Sequence, residues 1–207
     1  MPLLTERLVR DKARDFMMRK GLSAERCLEH VGRQDRPRYD IFLSQTKRDA
    51  EIVLGVYAYL TSLGYKVFCD WIEMPKVDGS PVTPANAELV RTSMERSDTM
   101  LFIDSEGAEQ SRWMCWELGW FDAAKGYVAI LPLANESKDY YYGREFVGLY
   151  PYVRLSGDGV MEIVRPAARN SHGFGLLEYP SSLSFASWRQ RGGDFYRPRP
   201  IEHLRFF

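Results

Sequence analysis

Short apolar segments alternate with helix-like segments along the middle of the chain, and this alternation limits the fold more than any other feature. Four apolar runs of strand length are bounded by polar or turn residues, at 39–44, 65–69, 99–103 and 127–133. The segments between them carry apolar residues at helical spacing. Strands that alternate with helices predict right-handed crossovers and a parallel sheet with helices on both faces. The sequence therefore predicts a doubly wound α/β fold.

A weaker fifth unit follows these four. Tyr152 to Leu155 has the pattern of another strand, and we expect a helix from Asp158 to about Arg169. With this unit the sheet has five parallel strands, for which a flavodoxin-like strand order is expected.

The chain has 207 residues, of which 45% are hydrophobic and 27% charged. This length and composition favour one core with extensions over two separate domains. We expect a helical N-terminal extension over residues 1–38, the α/β domain over 39–170 and an irregular C-terminal extension over 171–207. Aromatic residues in the last segment favour packing on the core over disorder: Phe185, Trp188 and Phe195.

Charge is balanced over the whole chain but not along it. The 28 basic and 28 acidic side chains cancel, so the strong positive field of a nucleic-acid-binding protein is missing. Residues 39–150 carry ten basic and seventeen acidic side chains, whereas both ends are basic. The ends could dock by charge complementarity on the central segment or on a neighbouring copy, or these charges could simply be solvated.

Membrane, zinc and disulfide signals are missing from the sequence. No apolar run approaches the roughly 18 residues of a membrane span, and the N-terminus has no signal-peptide pattern, so we expect a cytoplasmic protein. The three cysteines show no Cys-x-x-Cys spacing, and one Cys–His neighbour pair, Cys27 and His30, does not make a zinc ligand set. We therefore expect no metal and no disulfide framework.

The predicted topology brings two loops and one helix together. Ligands of such sheets bind where the strand order reverses, here between the loops at 44–48 and 104–110. On the helix from Ser111, Trp113 and Glu117 are four residues apart and share a face. A carboxylate on this apolar helix needs a reason, since burying it unpaired is costly. It is either a functional group or the partner of a base such as Lys47 or Lys125.

Several of these segments resemble the successive motifs of Toll/interleukin-1 receptor (TIR) domains. The matching segments are the strand 39–44, the strand 67–70, the long loop closing at Gly79 and the run 111–118, Ser-Arg-Trp-Met-Cys-Trp-Glu-Leu. Their order and spacing cover about residues 39–170, and the extensions lie outside the resemblance.

The resemblance implies an activity and its residues. In the enzymatic branch of this family, a glutamate placed like Glu117 is required to cleave NAD between nicotinamide and ribose. Trp113 matches the tryptophan of the same motif, and NAD is the substrate, with no further cofactor. Residues at positions that match the lining of the nucleotide pocket are Ser44, Gln45, Lys47 and Phe68. Many relatives carry a basic or aromatic residue where this chain has Gln45, so the phosphate contacts depart from the family pattern.

The proposed chemistry agrees with a single essential carboxylate. Nicotinamide leaves NAD as a neutral molecule, so no general acid is needed, and the difficulty is the oxocarbenium character that develops on the ribose. A carboxylate beside the sugar stabilises that charge. Water as acceptor gives ADP-ribose, and an atom of the same molecule gives a cyclic product; the residues leave both open.

Two further functions compete with this one. Residues 117–126 also resemble a segment of nucleoside 2-deoxyribosyltransferases, which act on nucleosides. Alternatively, the chain is a non-catalytic TIR adaptor that assembles through the loop at 70–82, with Trp71 and Pro75 as contacts. A closed pocket around Glu117 favours the adaptor. For a prokaryotic chain, the family implies antiphage immune signalling, in which the product of NAD cleavage acts on a downstream effector.

Overall fold

The computed structural model describes residues 2–32, 36–46, 48–69, 71, 84–105, 108–136, 138–143, 145–165 and 182–191. The strands within these ranges are β1 (Leu4–Thr5), β2 (Tyr39–Ser44), β3 (Val67–Cys69), β4 (Ser97–Asp104), β5 (Val128–Ala134), β6 (Tyr152–Leu155), β7 (Met161–Val164) and β8 (Ser182–Ser184). The helices are α1 (Glu6–Lys20), α2 (Ala24–Gly32), α3 (Ala50–Ser62), α4 (Pro84–Glu95), α5 (Arg112–Ala124) and α6 (Phe185–Arg191). Short 3-10 helices cover Ala108–Gln110 and Glu145–Leu149.

Five parallel strands form the centre of the sheet, in the order β3-β2-β4-β5-β6. From β2 the chain adds β3 on one side and then β4, β5 and β6 on the other, so the order reverses between β2 and β4. The predicted α/β fold with a flavodoxin-like five-stranded parallel sheet is confirmed. Three further strands among the described residues enlarge it: β7 and β8 continue beyond β6 as antiparallel strands, and β1 pairs in parallel with the end of β5.

The predicted helix after the fifth strand is wrong. The chain turns back through Gly159, whose φ is 81°, and continues as β7, which pairs antiparallel with β6 and sets Leu155 opposite Met161. Met161 and Ile163 are buried while Glu162 between them is partly exposed. This alternation suits a strand, because neighbouring side chains of a strand point to opposite faces. Residues 166–169 of the expected helix lie outside the described residues.

Each face of the sheet carries its own apolar layer. Ile41 and Leu43 of β2 belong to the layer that contains α1, α2, α3 and α6, whereas Phe42 belongs to the layer that contains α4 and α5. Residue 44 is two positions beyond Phe42 and therefore shares the face covered by α4 and α5. The predicted site lies on that face.

The N-terminal helices pack directly on the α/β core. A Cβ built on Gly55 of α3 would lie 1.9 Å from the carbonyl oxygen of Val9, so only glycine permits the approach of α1 to α3. Arg10 of α1 forms ion pairs with Asp49 at 2.5 Å and with Glu51 at 3.3 Å. Burial by itself raises the pKa of Asp49. The hydrogen bonds and charge of Arg10, together with two backbone N–H groups, outweigh this effect and lower that pKa.

The described part of the C-terminal segment also packs on the sheet. Phe185 and Trp188 of α6 are 0% and 1% exposed and belong to the same apolar layer as α1 and α3. Arg189 forms an ion pair with Asp40 of β2. The expected packing of this tail is confirmed for Phe185 and Trp188, while Phe195 lies outside the described residues. The domain boundaries at 38/39 and 170/171 stay a prediction.

Candidate active site

The two loops expected to form the site leave neighbouring strands at one edge of the sheet. Ser44 ends β2 and Asp104 ends β4, and the register of these strands sets Ser44 opposite Phe102. Because residues two apart in a strand share a face, Ser44, Phe102 and Asp104 all lie on the face that α5 covers. The carboxyl ends of β2 and β4 therefore meet α5 at the point where the strand order reverses.

Helix α5 presents its carboxylate to the end of β2. The side chain of Ser111 accepts a hydrogen bond from the N–H of Met114 at 3.3 Å and caps the helix, so Glu117 lies in its second turn. Ser44 Oγ donates a hydrogen bond to Glu117 Oε2 over 2.6 Å. Ser44 and Glu117 are only 1% and 4% exposed. A short hydrogen bond to a charged acceptor is stronger than a neutral one, and low local dielectric strengthens it further.

The base Lys125 does not pair with this carboxylate. Its Nζ donates to the carbonyl oxygens of Glu95 and Ser97, at 2.6 and 2.5 Å. Ser97 begins β4 and lies five residues before Phe102, which is opposite Ser44. Five residues correspond to roughly 16 Å along a strand. Burial lowers the pKa of Lys125, which remains bound at this opposite edge of the sheet. Lys47, the other base considered, lies outside the described residues.

Trp113 lies one helical turn before Glu117, as predicted. Its ring is tilted against that of Trp116, with centroids 4.9 Å apart, and both pack on the apolar layer of this face. The indole Nε1 of Trp113 is shielded from solvent and has no hydrogen-bond acceptor within the described part of the chain. A shielded N–H donor without an acceptor is a feature that a polar ligand can satisfy.

The other predicted binding residues differ in their surroundings. Gln45 is partly buried and directly follows Ser44. Phe68 of β3 is paired with Phe42, two residues before Ser44, and its ring stacks on that of Phe42 with centroids 5.4 Å apart. Phe68 therefore lies further from the carboxyl edge than Ser44 does. Contact of Gln45 and Phe68 with a nucleotide stays a prediction.

The predicted assembly loop is described only at Trp71. That side chain is partly buried and packs against the apolar layer on the face opposite α5. Pro75 lies outside the described residues, so assembly through this loop stays a prediction.

Two contacts at this edge were not predicted from the sequence. Tyr141 donates its hydroxyl hydrogen to Asp104 Oδ2 over 2.6 Å. Arg48 donates to Gln110 Oε1 over 3.1 Å and so joins the loop after β2 to the segment before α5. Asp104 directly follows the third predicted strand, and this position indicated that it lies near the site. Tyr141 comes from an irregular segment after β5, and nothing in the sequence indicated its position.

Signals for metals and membranes are missing from the described ranges as well. No group of three or more His, Cys, Asp or Glu side chains in these ranges is arranged to hold a metal ion. The cysteines Cys27, Cys69 and Cys115 are free thiols. None of the described helices combines the length and the apolar character needed to cross a bilayer.

A flavodoxin-like sheet with a Trp-x-x-x-Glu helix at its switch point is the arrangement that the TIR resemblance implies. No family model matches the chain. It is 47% identical over 116 residues to the "Probable 3′ cyclic ADP-D-ribose synthase ThsB′" of Bacillus cereus (strain MSX-D12), over 56% of this chain and 60% of that protein. It is 20% identical over 106 residues to the "Putative cyclic ADP-D-ribose synthase TIR2" of Cytobacillus dafuensis, over 51% of this chain and 28% of that protein. The chain spans less than two thirds of the length of either relative. With the fold, these relatives confirm the resemblance to bacterial TIR proteins.

Proposed function

We propose that this protein cleaves NAD at the bond between nicotinamide and ribose and converts the remainder into a cyclic ADP-ribose. The observation that carries the proposal is the Ser44–Glu117 hydrogen bond, which holds a buried carboxylate at the switch point of the sheet beside Trp113. The names of the two relatives, a "Probable 3′ cyclic ADP-D-ribose synthase" and a "Putative cyclic ADP-D-ribose synthase", support the same reaction.

Glu117 stabilises the positive charge that develops on the ribose as nicotinamide leaves. Its burial favours this task, because a fixed carboxylate in a region of low dielectric interacts with a nearby charge more strongly than one in water. The hydrogen bond from Ser44 restricts the carboxylate to one orientation. Trp113 supplies an apolar surface and a shielded N–H donor one turn away.

The low exposure of Glu117 also favours a second candidate function. At 4% exposure its carboxylate does not face open solvent, as expected for a non-catalytic adaptor. In the catalytic account, NAD reaches the carboxylate by displacing neighbouring side chains, and the ribose hydroxyls then take up hydrogen bonds within the site. In the adaptor account, the hydrogen bond from Ser44 is permanent and purely structural.

Incubation of the full chain with NAD distinguishes the two candidates. The products are separated and weighed by mass spectrometry, and the Glu117→Gln variant is compared with Asp122→Asn. Asp122 is a matched control because it lies on the same helix and accepts a hydrogen bond from Tyr150. Nicotinamide release by the parent and by Asp122→Asn, but not by Glu117→Gln, is the result expected of an enzyme. A folded parent without nicotinamide release is the result expected of an adaptor.

The biological setting is part of the same proposal. The cyclic product acts as a signal to a downstream effector in antiphage immunity, within the cytoplasm. Self-association through the loop at 70–82 raises the activity. Support for this setting comes from the family resemblance and from the uneven charge along the chain.

A further inference from the structure

A second carboxylate lies at the same edge of the sheet as Glu117. Asp104 lies on β4, the strand next to β2, two residues beyond Phe102, which is opposite Ser44. It therefore shares a face of the sheet with Ser44. One strand across and two residues along correspond to roughly 8 Å between the Cα atoms of Ser44 and Asp104. Asp104 is partly exposed, whereas Glu117 is buried. The site therefore has one carboxylate at its floor and one nearer its rim.

Asp104 is held in place from a third segment. Tyr141 donates its hydroxyl hydrogen to Asp104 Oδ2 over 2.6 Å, and the ring of Tyr141 packs against that of Tyr152 with centroids 5.5 Å apart. A hydrogen bond to a carboxylate from a phenol whose ring is packed fixes the carboxylate more firmly than contact with water does. The chain thus positions this second carboxylate instead of leaving it as a mobile surface charge.

Cyclisation has a requirement that Glu117 alone does not meet. When a sugar hydroxyl attacks the ribosyl carbon, the new ether oxygen carries a proton that must be removed. A group that stabilises the positive ribose works best when it stays ionised throughout, so a separate base is needed for the proton. The base must afterwards return its proton to water, which a partly exposed carboxylate does more readily than one at 4% exposure.

We propose that Asp104 accepts the proton of the sugar hydroxyl that closes the ring, and that Tyr141 is its positioning residue. This inference rests on the proposed NAD-cleaving function. In the step, the hydroxyl oxygen forms a bond to the ribosyl carbon and the bond from that carbon to nicotinamide breaks. Nicotinamide leaves as a neutral molecule with the electron pair of the broken bond, and the hydroxyl proton moves to the Asp104 carboxylate.

The name of the first relative agrees with a hydroxyl acceptor. That name gives the product as a 3′ cyclic ADP-D-ribose, and the locant 3′ designates a sugar position. A sugar hydroxyl has a proton to lose on attack, unlike a ring nitrogen of adenine that attacks through its lone pair. The second carboxylate at the rim is therefore suited to closure through oxygen.

The test compares product partition in two pairs of variants. Asp104→Asn and Tyr141→Phe remove the proposed base and its positioning group. Asp122→Asn and Tyr150→Phe remove a second Tyr–Asp hydrogen bond, 3.0 Å long, that joins α5 to the segment before β6. For each protein, nicotinamide release, cyclic ADP-ribose and linear ADP-ribose are measured separately, together with the unfolding temperature.

The expected result is a change in the ratio of the products. General bases contribute about 10²- to 10⁴-fold, and since a ribosyl cation is already reactive we expect the low end, a loss of about a hundredfold in cyclic product for Asp104→Asn. Nicotinamide release falls much less, because water still captures the ribosyl cation and linear ADP-ribose increases. Tyr141→Phe changes the ratio in the same direction by a smaller factor, and it decides the matter if Asp104→Asn does not fold. The control pair keeps the ratio of the parent.

Other outcomes overturn the inference. An unchanged product ratio in both folded variants, or equal losses of nicotinamide release and cyclic product, shows that Asp104 is not the base for ring closure. A parent that makes only linear ADP-ribose also shows that Asp104 closes no ring; it contradicts the cyclisation part of the proposed function and leaves NAD cleavage intact. A parent that releases no nicotinamide contradicts the proposed function itself, so the two failures are distinguishable.

Discussion

Replacement of Ser44 by alanine separates a positioning role from a substrate-binding role. The change removes the hydroxyl that donates to Glu117 Oε2 over 2.6 Å, in a region where both residues are buried. Hydrogen bonds to charged groups contribute about 1.5 to 3 kcal/mol, and a chain of this size loses about 2 to 4 °C of Tm per kcal/mol. We therefore expect Tm to fall by roughly 3 to 12 °C.

The catalytic effect of the same change follows from the orientation of the carboxylate. If Ser44 holds Glu117 in its productive orientation, the loss of about 1.5 to 3 kcal/mol appears in kcat as roughly a tenfold to hundredfold decrease, because each 1.36 kcal/mol is a factor of ten. Replacement of a residue that only binds substrate raises KM and leaves kcat unchanged. Steady-state nicotinamide release over a range of NAD concentrations distinguishes these outcomes.

A second buried serine gives the matched control. Ser97 is 0% exposed and donates to the carbonyl oxygen of Ser93 over 2.8 Å, at the opposite edge of the sheet. Ser97→Ala is expected to cost about 0.5 to 1.5 kcal/mol of stability, with kcat and KM like those of the parent. A Ser44→Ala variant with the parent's kcat and a raised KM, or with no change in either constant, would refute the positioning role.

Three further predictions concern stability and assembly. Gly55→Ala is expected to unfold the chain or lower its stability by several kcal/mol, because the new Cβ would lie 1.9 Å from the carbonyl oxygen of Val9. Denaturant titration measures the free energy of unfolding, and a loss below about 1 kcal/mol contradicts the prediction. Burial, the charge of Asp122 and the hydrogen bond to Asp122 raise the pKa of Tyr150 to about 12. The stability that its neutral form contributes is therefore complete below pH about 10 and is lost as the pH rises through about 12. Tyr150→Phe should flatten this part of the stability–pH curve, and a curve identical to that of the parent refutes the assignment. Trp71→Glu is expected to lower both self-association and activity, since a new charge in a contact is costly to desolvate. Sedimentation measures the self-association. Association and activity that both match those of the parent contradict the assembly prediction.

The sequence was informative about the fold wherever a segment had clear periodicity and capping residues. The strands at 39–44 and 152–155 begin and end where predicted, and the helix expected from Ser111 begins at Arg112 with Ser111 as its cap. The helix expected from Asp158 was wrong because the segment Met161–Val164, with one charged residue among three apolar ones, is too short to distinguish the two periods, and pairing with β6 decides in favour of a strand. Strand β1 has two residues, too few for any pattern.

The candidate site was predictable only in the parts that local spacing and topology determine. The four-residue spacing of Trp113 and Glu117 and the switch-point rule together indicated a helix and a loop that the structure brings together through Ser44 and Glu117. The hydrogen bond between Ser44 and Glu117 joins residues 73 apart in sequence, and its geometry depends on how α5 packs on the sheet. Tyr141 reaches Asp104 from an irregular segment whose path has no periodic signal, so that contact required the structure.

The central claim is that Glu117 supports cleavage of NAD, and nicotinamide release by Glu117→Gln tests it most directly. Glutamine keeps the size of the side chain and its ability to accept from Ser44 but removes the negative charge. Removal of one preorganised electrostatic contact typically costs about 2.7 to 4 kcal/mol, so we expect a decrease of about a hundredfold to a thousandfold in the rate, with the fold retained. A folded Glu117→Gln variant that releases nicotinamide at the rate of the parent would contradict the account.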